Sequence, residues 1–239
     1  MNIEELHELE DLRELQDLFL KVWERSTEPP LNSDVMRALS HAGNHVAGVR
    51  GGDGRLVAGI VGWLGMYPDR DLLLHSHILG VLPGSDSHGL GFALKQHQRA
   101  WCLARGIKTV EWTFDPLVRR NASFNLRKLG ADAAEYLVDF YGPMLDRINA
   151  GVESDRILVR WHLESDKAVA AAVGRPHEVE VTAASVLCEV PEDIVGIRAT
   201  DPELAGRWRR EVRDKLGAHL MAGGRVEGFT RDGAYVLVH

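Results

Sequence analysis

Cysteine is nearly absent. The 239 residues carry two, Cys102 and Cys188, and neither sits in a Cys-x-x-Cys pair. A disulfide framework and a zinc ribbon are not expected, and a reducing cytoplasm is the expected setting. No apolar run approaches ~20 residues, so no membrane-spanning helix is expected. The opening MNIEELHELEDLRELQDL is acidic and amphipathic, without the basic start and apolar centre of a secretory signal. A basic excess is missing too: 28 Lys and Arg stand against 35 Asp and Glu, a formal net charge of -7. General nucleic-acid binding, which needs a basic face, is not expected of such a chain. No His-Glu-x-x-His or similar ligand spacing occurs, so no metal site is expected either.

What is present suits a folded chain with a real core, 45% hydrophobic and 26% charged. Leu6, Leu9, Leu12, Leu15, Leu18, Phe19 and Val22 recur at three- and four-residue steps and predict an amphipathic helix. Asn32 or Ser33 is placed to cap a second, short helix reaching about Leu39. HVAGVR and RLVAGIVGWLGM flank GGDG, a hairpin signal. DLLLHSHILGV reads as a buried strand, followed by a helix from about Gly89 to Ala104 with Leu90, Ala93, Leu94, His97 and Trp101 on one face. IKTVEWTFDPL is the next strand, ended by Pro116. Arg119 to Leu129 is a short helix stopped by Gly130, and EYLVDFYG and DRILVRWHL are two further strands. This order predicts a mixed α/β domain over residues 1–163.

After Leu163 the pattern changes. ESDKAVAAAVGRPHE reads as a linker and VEVTAASVLCEV as a strand. Leu204, Trp208, Val212, Leu216 and Leu220 mark one helix, with Asp201 as its cap and Pro202 in its first turn. YVLVH is a closing strand. Residues 164–239 are therefore expected to form a strand–helix–strand extension packed on the first domain. Its candidate roles are to cover one end of a cleft, to extend the sheet, or to make a homodimer contact.

The stretch ILGVLPGSDSHGLGFALKQHQ, from Ile78 to Gln98, joins a strand through a Gly-containing turn to a helix start. Free amides at a helix N-terminus, with the dipole behind them, suit phosphate. A Walker A loop fails, because Leu90 and Gly91 follow Gly89 where Lys and Ser or Thr are required. A Rossmann turn fails as well, because Leu94 stands where a third glycine is needed.

A third form of phosphate loop does match. The stretch resembles motif A of the GNAT superfamily of acyl-CoA-dependent N-acyltransferases, a strand ending V-x-P, then [Q/R]-x-x-G-x-[G/A], then a helix. Val81-Leu82-Pro83 supplies the first part and Asp86-Ser87-His88-Gly89-Leu90-Gly91 the second, with Asp86 in place of Gln or Arg. NASFNLRKLGA, from Asn121 to Ala131, resembles motif B, with Leu126 where the family's tyrosine acid is usual. The resemblance covers about two thirds of the chain, 1–163. It implies a mixed, mainly antiparallel central sheet flanked by helices. It also implies acetyl-CoA or another short acyl-CoA as co-substrate, held at Ser87, His88, Gly89, Leu90 and Gly91, with Asn121 and Phe124 contributing from motif B. The Val81 amide would face the thioester carbonyl. The family's base lies six residues earlier on the strand, which is His75 here.

His75 and His77 alternate with Ser76, so both imidazoles share one face of the strand. An ordinary imidazole titrates near ~6.5 and can take a proton from an ammonium, directly or through water. Each has a plainer alternative as a satisfied structural histidine. Asp115, at the end of VEWTFD, is placed either to orient a substrate ammonium or to shape the turn before Pro116. Tyr141 is the nearest phenol if a tyrosine acid is used. Neither cysteine lies in this set, so direct attack by a primary amine of a small molecule is expected, without an acyl-enzyme. The substitutions at Asp86 and Leu126 keep a second expectation open, a non-catalytic acyl-CoA sensor or regulatory module.

Overall fold

The computed structural model describes residues 2–24, 28–69, 71–84, 88–142 and 153–239. It is a mixed α/β structure whose central sheet is mainly antiparallel and flanked by helices. Internal contacts divide the chain into two compact units, Met1–Val110 and Glu111–His239. The boundary expected after residue 163 falls inside the second unit, where the C-terminal segment packs on residues 111–163.

In the first unit the strands run β1 (Ile3–Glu5), β2 (His45–Arg50), β3 (Leu56–Met66) and β4 (Leu72–Val81), neighbours in that order and antiparallel throughout. The helices are α1 (Leu9–Val22), α2 (Ser33–His41) and α3 (Leu90–Leu103). Period-two alternation in the strands gives each face its own apolar cluster. Leu12, Leu15, Phe19 and Met36 of α1 and α2 pack on Val46, Val61 and Ile78. Leu90 and Leu94 of α3 pack on Ala47, Val49, Ala58 and Ile60. The periodicity from Leu6 predicts helix, but Ile3–Glu5 pair with β2 instead, Ile3 opposite Val49, and Leu6 donates its amide to Val46 O. An open sheet edge took these residues before the helix could begin at Leu9.

In the second unit β5 (Thr109–Phe114), whose first two residues belong to the first unit, neighbours β7 (Arg156–His162), and β7 pairs antiparallel with β6 (Asp132–Leu137). α4 (Arg119–Ala122) runs on into a π-helical turn, Ser123–Lys128. Four elements of the C-terminal segment were not expected from sequence or were merged: α5 (Asp166–Ala172), α6 (Ile194–Thr200), α8 (Ala218–Met221) and β9 (Arg225–Phe229). α5 forms because Ser165 caps it, accepting from Ala168 N, so the supposed linker is helical. α7 (Pro202–Val212) begins as its sequence predicts, with Asp201 accepting from Leu204 N and Pro202 in the first turn. β8 (Val186–Glu189), β10 (Ala234–Val238) and β9 form a second, three-stranded antiparallel sheet in the order β8-β10-β9. Among the described residues no helix is long and apolar enough to cross a membrane.

Candidate functional site

Strand β4 carries two features at different heights. At its middle, the register with β3 runs Val61 to Ile78 and then Gly62 to Ser76, so His77 is the extra residue of a β-bulge. Trp63 stands opposite His75. Its ring lies 5.1 Å from the His75 ring and 4.4 Å from the His77 ring, with 5.8 Å between the imidazoles. The three rings form one shelf on the face away from Ser76. His77 is exposed along one side, but its ring rests on Trp63. Loss of water around the ring, and then the charge of His75, lower its pKa to about 4. His77 is thus neutral at pH 7, and two imidazoles this close disfavour a shared double charge.

At its end, Leu82 donates its amide to Val57 O at 2.9 Å. Successive amides in an antiparallel pair point to opposite sides, so the Val81 N–H is directed away from β3. Beyond the turn, Gly89 has φ +81° and α3 starts at Leu90. A Cβ on Gly89 would meet nothing within 4 Å, so its backbone angle alone asks for glycine. Gly91 is different. A Cβ there would make only ordinary contacts, 3.6 Å from Leu79 Cδ2 and 3.9 Å from Val81 Cγ2. Neither backbone nor packing demands glycine at 91, and the backbone stays open to close approach by a ligand.

The first-turn amides of α3 have no acceptor within the helix, and no acidic residue occupies that turn. The helix dipole favours negative charge there. A helix start of this kind suits an anionic group such as a phosphate. His88 is exposed directly before it, while Asp86 and Ser87 lie outside the described residues. Val81, His88, Gly89, Leu90 and Gly91 are therefore gathered at one end of β4, with His75 and His77 earlier on the same strand.

The remaining expected residues lie in the second unit. Asn121 and Phe124 are half-buried where α4 passes into the π-helical turn, a geometry often found at functional sites. The next residue of that turn, Asn125, accepts the Trp112 indole N–H at 3.3 Å. Of the two readings of Asp115, the turn is the one the structure carries, with Leu117 N donating to Oδ1 at 3.0 Å, and the carboxylate is also ion-paired. Arg209 takes both its oxygens at 2.9 Å and Arg198 adds a third ion-pair contact. Burial raises its pKa, but the hydrogen bonds and charge of Arg209, then Arg198, outweigh that and hold it at about 2. With 7% of its surface exposed, the carboxylate is committed to the C-terminal segment and is not offered to a substrate ammonium. Tyr141 is exposed, and its hydroxyl meets Thr113 Oγ1 at 3.0 Å. Both cysteines are buried free thiols, and burial raises them to about 12 at Cys102 and about 11 at Cys188. Neither is a thiolate at neutral pH. Among the described residues no group of three or more potential metal ligands occurs.

Two groups escaped the sequence reading. Trp63 reads as a strand residue, and only the register with β4 brings it to the imidazoles. Lys95 and Gln98 are not among the residues that the sequence pattern places on the apolar face of α3, yet both are buried.

No protein-family model matches the chain, and no curated protein matches it in sequence. Solved structures do match. Aminoglycoside 6'-acetyltransferase type Ii aligns at 16% identity over 69% of this chain and 99% of its own, with a TM-score of 0.54. A GNAT superfamily phosphinothricin acetyltransferase from Sinorhizobium meliloti, in complex with AcCoA, aligns at 13% identity over 66% and 86%, also at 0.54. Naa20 from Chaetomium thermophilum, in complex with a bisubstrate analogue, aligns at 17% identity over 67% and 85%, at 0.53. The fold is that of the GNAT acetyltransferases.

Proposed function

We propose that this protein is an acyl-CoA-dependent N-acyltransferase that moves an acetyl or other short acyl group to a primary amine of a small molecule. The observation that carries the reading is the start of α3, where Gly89 turns the chain at positive φ and Gly91 leaves the backbone uncovered without any demand from packing. The amides of Leu90 and Gly91, with Ser87 and His88 on the loop before them, bind the pyrophosphate. Asn121 and Phe124 are assigned to the cofactor on the resemblance to motif B alone. The acyl-CoA supplies a thioester whose carbonyl is open to attack. The Val81 N–H, directed away from β3, donates to the oxygen on which negative charge develops. His75 and His77 receive the acceptor and take the proton its nitrogen loses, directly or through water. Because the His77 ring is neutral at pH 7, it offers a lone pair rather than a repelling charge to an ammonium. Attack is direct, since both thiols are buried and protonated. The new C–N bond forms as the thioester C–S bond breaks, and coenzyme A leaves as a thiolate that takes up the proton the amine gave, through the imidazoles or solvent.

Calorimetry with acetyl-CoA tests the donor half, and the absence of binding would remove the reading's basis. Thiol release with a panel of small amines, aminoglycosides, amino acids and a peptide with a free N-terminus tests the acceptor. One observation favours a second reading: Leu126, buried in the π-helical turn, stands where the family's tyrosine acid is usual. A donor site without turnover on every acceptor would make the protein an acyl-CoA sensor.

A further inference from the structure

The buried face of α3 carries a lysine. Lys95 is 3% exposed and Gln98 fully buried, against His45 of β2, which is also fully buried. Lys95 Nζ donates to Ser76 Oγ at 2.7 Å and to Gln98 Oε1 at 3.3 Å. That fixes the amide of Gln98, whose Nε2 donates to His45 Nδ1 at 3.3 Å. His45 then holds its proton on Nε2 and donates to His97 Nδ1 at 3.1 Å. The chain of bonds closes against the bulge: a Cβ on Gly62 would stand 2.9 Å from His75 O and 3.2 Å from Gln98 Nε2, so glycine lets the amide reach the strand.

A hydrocarbon side chain would fill this space without the cost of burying an amine. That cost is visible, since burial lowers Lys95 to about 7; the titratable groups coupled to it include Cys102 on α3 itself and His45 on β2. What the amine gains is a bond to Ser76, the residue between His75 and His77. We propose that Lys95 is a positioning residue: through Ser76 it fixes the β4 bulge, and with it the orientation of the His75 and His77 rings on the opposite face. The inference rests on the reading of the imidazole pair as the group that receives the acceptor. One rigid helix then sets both ends of the reaction, its first turn holding the donor and its second turn holding the strand that carries the imidazoles.

The test uses Lys95→Met, Ser76→Ala, the double variant and Ser76→Thr, with kcat, KM for acyl-CoA and the histidine ring resonances as readouts. Lys95→Met and Ser76→Ala should each lower kcat about 10- to 100-fold with KM for acyl-CoA within about twofold. The double variant should fall no further than the worse single, and Ser76→Thr should recover most of the rate. The ring resonances of His75 and His77 should move in both single variants, while those of His177 and His219 stay. Should Lys95→Met fail to fold, Ser76→Ala and Ser76→Thr decide. Where the wild type is active, single variants whose His75 and His77 rings do not move, or additive losses in the double variant, overturn the inference. Moved rings in the variants of a wild type that transfers no acyl group would instead overturn the transferase reading and leave the positioning intact.

Discussion

Asp115 and Arg209 form a two-point ion pair inside the second unit, Nη1 to Oδ1 and Nη2 to Oδ2, each at 2.9 Å. It joins the end of β5 to α7, and Tyr235 of β10 adds a hydroxyl bond to Pro116 O at 2.8 Å. Neutralising one partner of a buried pair leaves the other without compensation. Asp115→Asn should therefore cost about 3 kcal/mol in urea unfolding. Acyl transfer per folded molecule should stay within about twofold of wild type, since no reacting group is removed. A large loss of kcat at unchanged stability would return Asp115 to the chemistry.

The two glycines at the start of α3 should separate in their effects. Gly89→Ala forces a Cβ into φ +81° and should cost about 1 kcal/mol of stability. Gly91→Ala has room for its methyl and replaces a poor helix former, so stability should hold or rise by up to about 1 kcal/mol. The same methyl would stand where a pyrophosphate must reach the backbone. Calorimetry should show at least about tenfold weaker acetyl-CoA binding for Gly91→Ala, a displacement cost of roughly 1.4 kcal/mol. Unchanged affinity in Gly91→Ala would mean that the cradle does not hold the donor.

His75→Ala and His77→Ala should each lower kcat by about 10²-fold, the range of a lost acid–base group, while acetyl-CoA affinity stays near wild type. The pH profile refines this. With His77 held at about 4, its base form persists through pH 6. After correction for ionisation of the acceptor amine, kcat/KM should show no acid limb near ~6.5 that depends on His77. Such a limb, abolished in His77→Ala, would contradict the lowered pKa.

Much of the first unit was legible in the sequence, because its helices bury one stripe and its strands alternate. The stripe Leu12, Leu15, Phe19 and the hairpin across GGDG needed only local rules. The helix start at Gly89 was legible for a local reason too, since a chain that turns at positive φ asks for glycine. Trp63 and Lys95 were not. Which residue faces His77 depends on a bulge between Val61 and Gly62, and nothing in β3 alone announces that slip. Lys95 breaks the polarity rule by which the buried face of α3 is predicted, and its bonds to Ser76 and Gln98 help make that burial tolerable. Asp115 reads from sequence as either a cleft or a turn residue, because its ion-pair partners, Arg198 and Arg209, lie far downstream in a segment with no pattern linking it to β5.

His45 makes stability depend on pH in a direction that can be stated. Burial, then the charges of His97, Lys95 and Arg105, lower its pKa to about 3 in the folded protein. In the unfolded chain it titrates near ~6.5. Between those values the unfolded state holds a proton that the native state does not, so stability falls as pH drops from ~6.5 toward 3 and is unaffected by this group above ~6.5. His45→Asn removes the titration and keeps an acceptor for Gln98. Urea unfolding at pH 4 to 8 should show wild-type stability relative to His45→Asn falling by about 1 kcal/mol per pH unit below ~6.5 and level above it. Lys95 acts in the same sense at higher pH: held at about 7 against an unfolded value near ~10.4, it lowers stability as pH falls through that interval. Lys95→Met should therefore gain on wild type as pH is lowered from 10 to about 7, and a difference that stays constant over that range would show that the amine is charged in the native core.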